Sequence, residues 1–272
     1  MTHRERILVK IGGAALEEAG PRAAFAKAVA AARADGAAVV VVHGGGNQVG
    51  RLSTRLGLET KRVAGLRVTD AATAEVVLQV LGGEVSRKLT AALVAAGVPA
   101  LGLTGADAGL YQAQRLQHAE ADLGYVGEVT AVDASVLERL VDAGFVPVVA
   151  SVAPDSGAPD DDRFLNINAD HAVAPLAAAF GADIVLFLSD VPGVLDATRA
   201  RIGALTPASC RALTSAGVIS GGMLPKVDAA LAAAAANPSA LVKIALADGE
   251  DAVRAALHPD VGTRFLPEVH HA

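Results

Sequence analysis

Residues 6–13 read RILVKIGG and residues 38–47 read AVVVVHGGGN. In both stretches a short run of valine, isoleucine or leucine leads into glycines. Continuous apolar runs of this length suit strands that are buried on both faces, as in a parallel sheet. In an open parallel sheet, ligands bind beyond the carboxyl ends of the strands, where glycines let backbone amides approach a phosphate. The two stretches therefore predict both the fold and the position of a binding site.

The rest of the chain continues this alternation of apolar strands and alanine- or leucine-rich helices. Strands are predicted at 7–9, 38–42, 99–103, 146–150, 184–188 and 241–246, and helices at 21–35, 71–96, 134–143, 169–180 and 224–236. Residues 57–70 and 109–133 read as extended excursions, and the aspartate-rich residues 154–163 as a solvated turn. The pattern predicts an α/β fold, an open three-layer αβα sandwich with a largely parallel central sheet.

Composition excludes several classes of function. The chain has 272 residues, 52% of them hydrophobic, and its 23 basic and 29 acidic residues give a net charge of -6. It has no lysine- or arginine-rich run for nucleic acid, and its apolar runs are too short for a membrane span or a signal peptide. Cys210 alone cannot form a disulfide framework or a zinc site, and His43 is interpreted as a structural histidine. We expect a cytoplasmic protein.

A lysine accompanies the glycines that follow the first strand. Lys10 precedes the glycines at 12–13, and its ammonium group would add a mobile positive charge to a phosphate site. The alternative is a tight turn beside an exposed lysine. The glycines at 44–46 open a helix, whose positive end favours an anion. A Walker P-loop is excluded, because Arg51 and Leu52 stand where that motif needs lysine and then serine or threonine.

Two polar segments also carry candidate residues. Residues 65–70 read GLRVTD, and residues 166–170 read NINAD. The guanidinium of Arg67, held by a glycine turn, could pair with a substrate carboxylate through two hydrogen bonds, and a surface salt bridge is the alternative. The two asparagines of NINAD would share one face of an extended segment. Asn168 or Asp170 could instead cap the helix that follows.

The last third of the chain contributes two loops. Residues 188–195 read LSDVPGVL and follow a predicted strand, where open sheets receive nucleotides. Residues 219–226 read ISGGMLPK, and Lys226 falls in the first turn of a helix, where a lysine opposes the helix dipole. A bound anion would remove that conflict. A lysine with a solvated tip is the alternative.

Taken in order, these segments resemble the amino acid kinase family. The resemblance runs from Ile7 to about Phe265 and rests on VKIGG, VVHGGGNQV, GLRVTD, GYVGEV, NINAD, LSDVPGVLD, ISGGMLPK and GTRF. The motifs are most similar to the branch that phosphorylates the γ-carboxylate of N-acetyl-L-glutamate in arginine biosynthesis. The resemblance implies two lobes: residues 1–180 would bind the acyl amino acid and form a dimer, and residues 181–272 would bind ATP.

The resemblance also implies roles for individual residues. Lys10 would contact the transferring phosphoryl group and Lys226 the leaving side, while Asp170 would orient both lysines. Substrate binding would fall to Gly44, Gly45, Gly46, Arg67 and Asn166, and nucleotide binding to Gly12, Gly13, Ser189, Asp190, Val191, Gly193, Val194, Val218, Ile219 and Ser220. Residues 60–67 would form a lid over the substrate. Mg²⁺ would arrive with ATP and would need no metal site on the protein.

Two other functions compete with this one. An acetylaminoadipate kinase of lysine biosynthesis, which acts on a carrier-bound substrate, shares nearly all the motifs. That branch carries an additional arginine and serine in the loop that here reads plainly GLRVTD. A non-catalytic nucleotide-binding protein would not need both Lys10 and Lys226. Only six residues precede the first predicted strand, whereas arginine-inhibited members carry an extra N-terminal helix there. We therefore expect a homodimer that is insensitive to arginine.

Overall fold

The structure is a computed structural model that describes residues 4–119 and 121–268. The strands are β1 (Arg6–Ile11), β2 (Ala38–His43), β3 (Arg62–Val63), β4 (Leu66–Arg67), β5 (Ala100–Leu103), β6 (Tyr111–Arg115), β7 (Val126–Val132), β8 (Val146–Ala150), β9 (Val152–Pro154), β10 (Phe164–Ile167), β11 (Ile184–Ser189), β12 (Ala204–Leu205), β13 (Leu241–Leu246) and β14 (Thr263–Phe265). The α-helices are α1 (Ala14–Glu17), α2 (Ala19–Ala34), α3 (Gly46–Arg55), α4 (Ala71–Val77), α5 (Ser86–Ala95), α6 (Ala134–Asp142), α7 (Ala169–Phe180), α8 (Pro207–Ser215), α9 (Met223–Ala236) and α10 (Ala252–Leu257).

An eight-stranded sheet forms the centre of the molecule. Its strands follow the order β12-β14-β13-β11-β1-β2-β8-β5, and each neighbouring pair is parallel except β13 with β14. All six strands predicted from apolar runs lie in this sheet. The predicted α/β class and largely parallel sheet are confirmed.

Helices cover both faces of the sheet and give three layers. Alternate residues of a strand point to opposite faces, so Leu8 packs into one apolar core while Val9 and Ile11 pack into the other. Helices α6, α7 and α9 lie over the face that contains Leu8, and α2, α5 and α10 lie over the opposite face. No helix among the described residues is long and apolar enough to cross a membrane.

The two excursions form smaller sheets. The hairpin predicted at 109–133 is present as the antiparallel pair β6 and β7, and β7 also pairs in parallel with β10, which continues to β9. Strands β3 and β4 form a separate two-stranded hairpin. Most of the loop at 154–163 is exposed, as predicted, but Asp155 is buried and accepts a hydrogen bond from Arg115. A charged partner makes that burial possible.

The predicted helix at 71–96 is continuous but not uniform. Helices α4 and α5 are joined by a π-helical segment, Leu78–Val85, which contains Gly82 and Gly83. A π-helical insertion widens the helix. The glycine pair is the feature of the sequence that favours it, because glycine weakens a regular helix.

The sheet is continuous between the two halves of the chain. Strand β1 pairs with β2 on one side and with β11 on the other, so Lys10 lies beside Phe187. Gly181 ends α7 in the left-handed conformation, close to the predicted boundary. The division into lobes at 180 and 181 remains a prediction.

Candidate active site

A cleft of about 470 Å³ opens at the carboxyl ends of β1 and β2. The predicted site residues that line it are Lys10, Gly12, Gly13, Gly44, Gly45, Gly46, Arg67, Asn166, Asp170 and Lys226. All three predicted catalytic residues and all five predicted substrate-binding residues therefore meet at one place. The position agrees with the rule that open parallel sheets bind ligands beyond the carboxyl ends of their strands.

One carboxylate holds both lysines. Lys10 extends from β1, Asp170 from the first turn of α7 and Lys226 from the first turn of α9. Oδ1 of Asp170 lies 2.7 Å from Nζ of Lys10, and Oδ2 lies 3.4 Å from Nζ of Lys226. The Lys10 and Asp170 side chains are only 7% and 10% exposed, whereas that of Lys226 is 23% exposed. The arrangement fixes the spacing of two ammonium groups in the cleft.

The charges of this group determine its protonation. Burial lowers the pKa of the Lys10 ammonium, and the neighbouring Asp170 acts in the opposite direction. Burial by itself would raise the pKa of Asp170, but the positive charges of Lys10 and Lys226 outweigh it and hold that pKa below its ordinary value. The carboxylate is therefore ionised near neutral pH. Two lysines already engage it, so it is poorly suited to accept a proton from a substrate.

The two candidate caps of α7 have separate tasks. The side chain of Asn168 accepts a hydrogen bond of 2.9 Å from the backbone N–H of Asp170 and caps the helix. This leaves the carboxylate of Asp170 to the lysines. A negative charge in the first turn of a helix is also favourable, because it faces the positive end of the helix dipole.

Three helices begin at the cleft. Gly46 opens α3, Ala169 opens α7, and Gly222 precedes α9; all three residues line the cleft. The N-terminus of a helix presents unpaired N–H groups and a partial positive charge. Together with the two lysines, these helix ends make the cleft suited to bind phosphate and carboxylate groups.

Gly45, in the second glycine loop, is packed too tightly for a larger residue to fit without a shift of its neighbours. A Cβ atom at Gly45 would lie 2.7 Å from Cδ2 of Leu81 and 2.9 Å from Cγ2 of Val85. Both neighbours come from the π-helical segment, and Leu81 also lines the cleft. The π-helical segment therefore supports the loop from behind.

Arg67 is buried and has no carboxylate partner among the described residues. Its Nη1 donates to Oγ1 of Thr60 at 2.9 Å, and its Nη2 donates to the carbonyl oxygen of Gly46 at 2.8 Å. The surface salt bridge that competed with a binding role is thus not formed. Asp70, the nearest carboxylate in the sequence, instead caps α4 by accepting from the backbone N–H of Thr73. An arginine has five N–H donors, so donors remain for a ligand.

Asn166 extends from β10 toward the same end of the cleft. Its Nδ2 donates to Oγ1 of Thr69 at 3.0 Å. The Thr69 hydroxyl in turn donates to the carbonyl oxygen of Arg67 at 2.8 Å. The two residues predicted to bind the substrate's α-carboxylate are therefore linked through one buried threonine.

The other predicted nucleotide-binding residues do not line this cleft. They are Ser189, Asp190, Val191, Gly193, Val194, Val218, Ile219 and Ser220. The side chains of Val194 and Ile219 are 1% and 2% exposed and belong to the apolar core, so only their main chains could reach a ligand. Gly221 and Gly222, next along the chain, do line the cleft. The nucleotide role of the eight residues remains a prediction.

His43 is a buried structural residue of the β2 end. It has 0% exposure, and its Nδ1 lies 2.9 Å from the carbonyl oxygen of Gly44. Burial lowers its pKa to about 4, so the ring is neutral at physiological pH. Throughout residues 4–119 and 121–268, no group of three or more histidine, cysteine or carboxylate side chains is placed to hold a metal ion.

Sequence reasoning did not single out several residues of the site. Val49, Leu81, Val126 and Ser151 line the cleft, and Thr69 lies behind it. Thr69 belongs to the GLRVTD segment, so the sequence places it near the site. A threonine beside a helix-capping residue is common, however, and does not by itself indicate a role. Val49 and Val126 likewise fall inside the VVHGGGNQV and GYVGEV segments. Leu81 and Ser151 are single residues outside every such segment, and nothing local indicates that they meet the others.

Comparison with known proteins shows the family of the chain. The model of a family described as "Amino acid kinase family" matches residues 5–243. The chain belongs to the amino acid kinase family. As a member of it, the chain is a kinase with an α/β fold built on a mostly parallel sheet.

Relatives in the amino acid kinase family cover most of the chain. The acetylglutamate kinase of Koribacter versatilis is 46% identical over 224 residues, which are 82% of this chain and 84% of that protein. The acetylglutamate kinase of Solibacter usitatus is 41% identical over 251 residues, which are 92% and 90%. Among solved structures, smu.665 from Streptococcus mutans superposes with a TM-score of 0.81 at 28% identity, covering 97% of this chain and 99% of that one.

Proposed function

We propose that the chain transfers the γ-phosphoryl group of ATP to the γ-carboxylate of N-acetyl-L-glutamate, a step of arginine biosynthesis. The observation that carries the proposal is the cleft in which Lys10, Asp170 and Lys226 form one charged group beside Arg67 and Asn166. The acetylglutamate kinases that resemble the chain supply the choice of substrate.

The reaction needs no general base. A glutamyl carboxyl group has a reference pKa of about 4.3, so the acceptor is already ionised near pH 7. One of its oxygens attacks the γ-phosphorus, and the bond from that phosphorus to the β,γ-bridging oxygen breaks. The electron pair of the broken bond stays with ADP, and the product is an acyl phosphate. The difficulty is electrostatic, because two anions must meet.

Positive groups of the cleft would reduce the repulsion between the two anions. Lys10, the less exposed of the two lysines, would contact the oxygens of the transferring group, while Lys226 would neutralise charge on the leaving side. The N–H groups of the two glycine loops would hold the phosphoryl oxygens. Asp170 would keep the two ammonium groups at a fixed separation and so hold them in position for the reaction.

The opposite end of the cleft would bind the amino acid. Arg67 would pair with the α-carboxylate through its remaining N–H groups, and Asn166 would add a hydrogen bond. Strands β3 and β4 contribute residues to the lining of the cleft and would close on the substrate as a lid. Arg62, which lines the cleft from β3, would bring a second positive charge to that lid.

The nucleotide would lie across the glycines at 12–13 and the loops at 189–194 and 218–220. Mg²⁺ would supply positive charge to the β- and γ-phosphates. The carboxylate in the cleft, Asp170, is engaged by two lysines, so the ion would be held through the phosphates and water, as Mg²⁺ commonly is.

The quaternary state belongs to the same proposal. We expect a homodimer in the cytoplasm. Strand β5 lies at one edge of the central sheet, where Leu101 is 38% exposed, and Val94 on the adjacent α5 is 56% exposed. An open edge with apolar side chains is usually covered in solution. Light scattering at micromolar concentration measures the mass directly.

A coupled assay of ADP release tests the function. N-acetyl-L-glutamate, L-glutamate and N-acetyl-L-aminoadipate are each offered with ATP and Mg²⁺, and hydroxylamine traps the acyl phosphate. We expect turnover with the first substrate and at least about tenfold lower kcat/KM with the other two, since one methylene or one lost contact costs 1–3 kcal/mol. Turnover only with another acceptor would refute the assignment.

A further inference from the structure

Thr69 lies between the two residues that the proposed function assigns to the substrate's α-carboxylate. Its side chain is fully buried, at 0% exposure. Oγ1 donates to the carbonyl oxygen of Arg67 at 2.8 Å and accepts from Nδ2 of Asn166 at 3.0 Å. The hydroxyl therefore connects the lid hairpin, through Arg67 on β4, to the small sheet, through Asn166 on β10.

The single proton of the Thr69 hydroxyl determines how the side-chain amide of Asn166 is oriented. A threonine hydroxyl has one proton, and here that proton goes to the carbonyl oxygen of Arg67, which can only accept. Toward Asn166 the hydroxyl can then only accept, so the amide must turn its NH₂ group to Thr69. The amide oxygen and the second N–H of Asn166 are left for the cleft. A side chain without a hydroxyl at 69 would impose no such choice.

The main chain holds Thr69 rigidly. Its N–H donates to the carbonyl oxygen of Leu123 at 3.0 Å, and its carbonyl oxygen accepts from the N–H of Tyr125 at 2.7 Å. Gly124, between those two residues, has a φ of 66°, and a Cβ atom there would lie 2.3 Å from the carbonyl oxygen of Thr69. The backbones of the two segments are thus as close as glycine permits.

We propose that Thr69 is a positioning residue that sets the amide orientation of Asn166 and couples it to Arg67. The inference rests on the proposed function, since it concerns the same carboxylate-binding end of the cleft. Thr69 does not touch the substrate. It acts by presenting one N–H of Asn166 and the guanidinium of Arg67 to a carboxylate at the same time. This contribution concerns the binding of the substrate and not the transfer of the phosphoryl group.

The test is the substitution Thr69→Val, which keeps the shape of the side chain and removes the hydroxyl. We expect KM for N-acetyl-L-glutamate to rise about tenfold, the equivalent of one hydrogen bond of about 1.4 kcal/mol. KM for ATP should change less than about twofold. Thr69→Ser restores the hydroxyl and should return KM for N-acetyl-L-glutamate to within about threefold of the parent value.

Thr90→Val is the matched control. The Thr90 hydroxyl oxygen is buried without a hydrogen-bond partner in the described part of the chain, so the same chemical change there breaks no such link. We expect unchanged KM values. If the valine variant at 69 does not fold, Thr69→Cys replaces it, because a thiol is a weak donor and acceptor; its KM for N-acetyl-L-glutamate should exceed that of the serine variant at least threefold.

The outcomes separate the two proposals. Failure of the unmodified chain to turn over N-acetyl-L-glutamate refutes the proposed function and with it the role of Thr69. Turnover by the unmodified chain, with equal KM values in the valine and serine variants or in the cysteine and serine variants, overturns the role of Thr69 alone. A parallel rise of KM for ATP would mean a general structural defect and would also overturn it.

Discussion

Asp170 and Lys10 form an ion pair of 2.7 Å that is almost closed to solvent on both sides. Removing charges from water is costly, and a buried pair contributes little net stability compared with well-packed apolar residues. Removing one partner of such a pair is strongly destabilising, because the remaining charge stays buried and uncompensated. We therefore expect the pair to matter through its position in the cleft. Of the three charged residues, only Lys226 is expected to affect turnover without affecting stability.

Asp170→Asn tests the organising role. Lys10 would lose its counter-charge, so we expect the free energy of unfolding to fall by about 3 kcal/mol and kcat to fall at least about a hundredfold. Urea denaturation and the ADP-release assay measure the two effects. The control is Glu138→Gln at the exposed pair with Arg6, which should cost less than about 1 kcal/mol. Retention of both stability and turnover in the asparagine variant would contradict the organising role.

Lys226→Ala should separate catalysis from stability. The side chain is partly exposed and sits in the first turn of α9, where its charge opposes the helix dipole. We therefore expect most turnover to be lost, about a hundredfold or more, with little change in melting temperature. Lys10→Ala should lose comparable turnover and also some stability. Lys27→Ala, at an exposed pair with Glu250, is the control and should change neither quantity.

Gly45→Ala should distort the second glycine loop. The added methyl group would lie within 3 Å of Leu81 and Val85, so the loop or these side chains must shift, and we expect kcat/KM to fall at least about tenfold. The double variant Gly45→Ala with Leu81→Ala makes room and should recover part of the loss. Gly20→Ala, in a helix and with no atom within 4 Å of the new methyl, is the control and should keep full activity. A fully active Gly45→Ala variant would show that the loop tolerates displacement.

The titration of His43 should lower the stability of the folded chain in mild acid. Its pKa is about 4 in the folded chain and about 6.5 when unfolded, so between these values the unfolded chain binds more protons. Stability from this group is present above pH 6.5 and falls as the pH drops to 4, by about 3 kcal/mol in total. His43→Asn, which does not titrate, should flatten the pH profile of urea unfolding in this range.

The central sheet and the glycine loops could be predicted from the sequence because their determinants are local. An apolar run followed by glycines specifies a buried strand and its end, and this is how 38–47 was interpreted. The carboxyl ends of parallel strands share one edge, so the meeting of Lys10 with the second glycine loop also followed. The group of two lysines and Asp170, drawn from the family resemblance, lies in the cleft in the structure.

Other features depend on contacts that are distant in the sequence. The pairing of β7 with β10 joins Val126 to Asn166, and nothing local in either strand specifies the partner. The burial of Asp155 requires Arg115, 40 residues earlier, so this one residue departs from the solvated turn predicted at 154–163. Thr69 is a further case, because its role arises only from the two residues it touches.

The position of β1 in the middle of the sheet has a consequence for the order in which the chain is made. Strand β1 leaves the ribosome first, and β2 can pair with it early, but its other edge must wait for β11, whose first residue is Ile184. A polypeptide cut at residue 180 would keep that edge open and apolar, and such edges promote self-association. Residues up to 180 should therefore depend on the later part of the chain for solubility, because β11 and β13 continue the sheet on that side of β1.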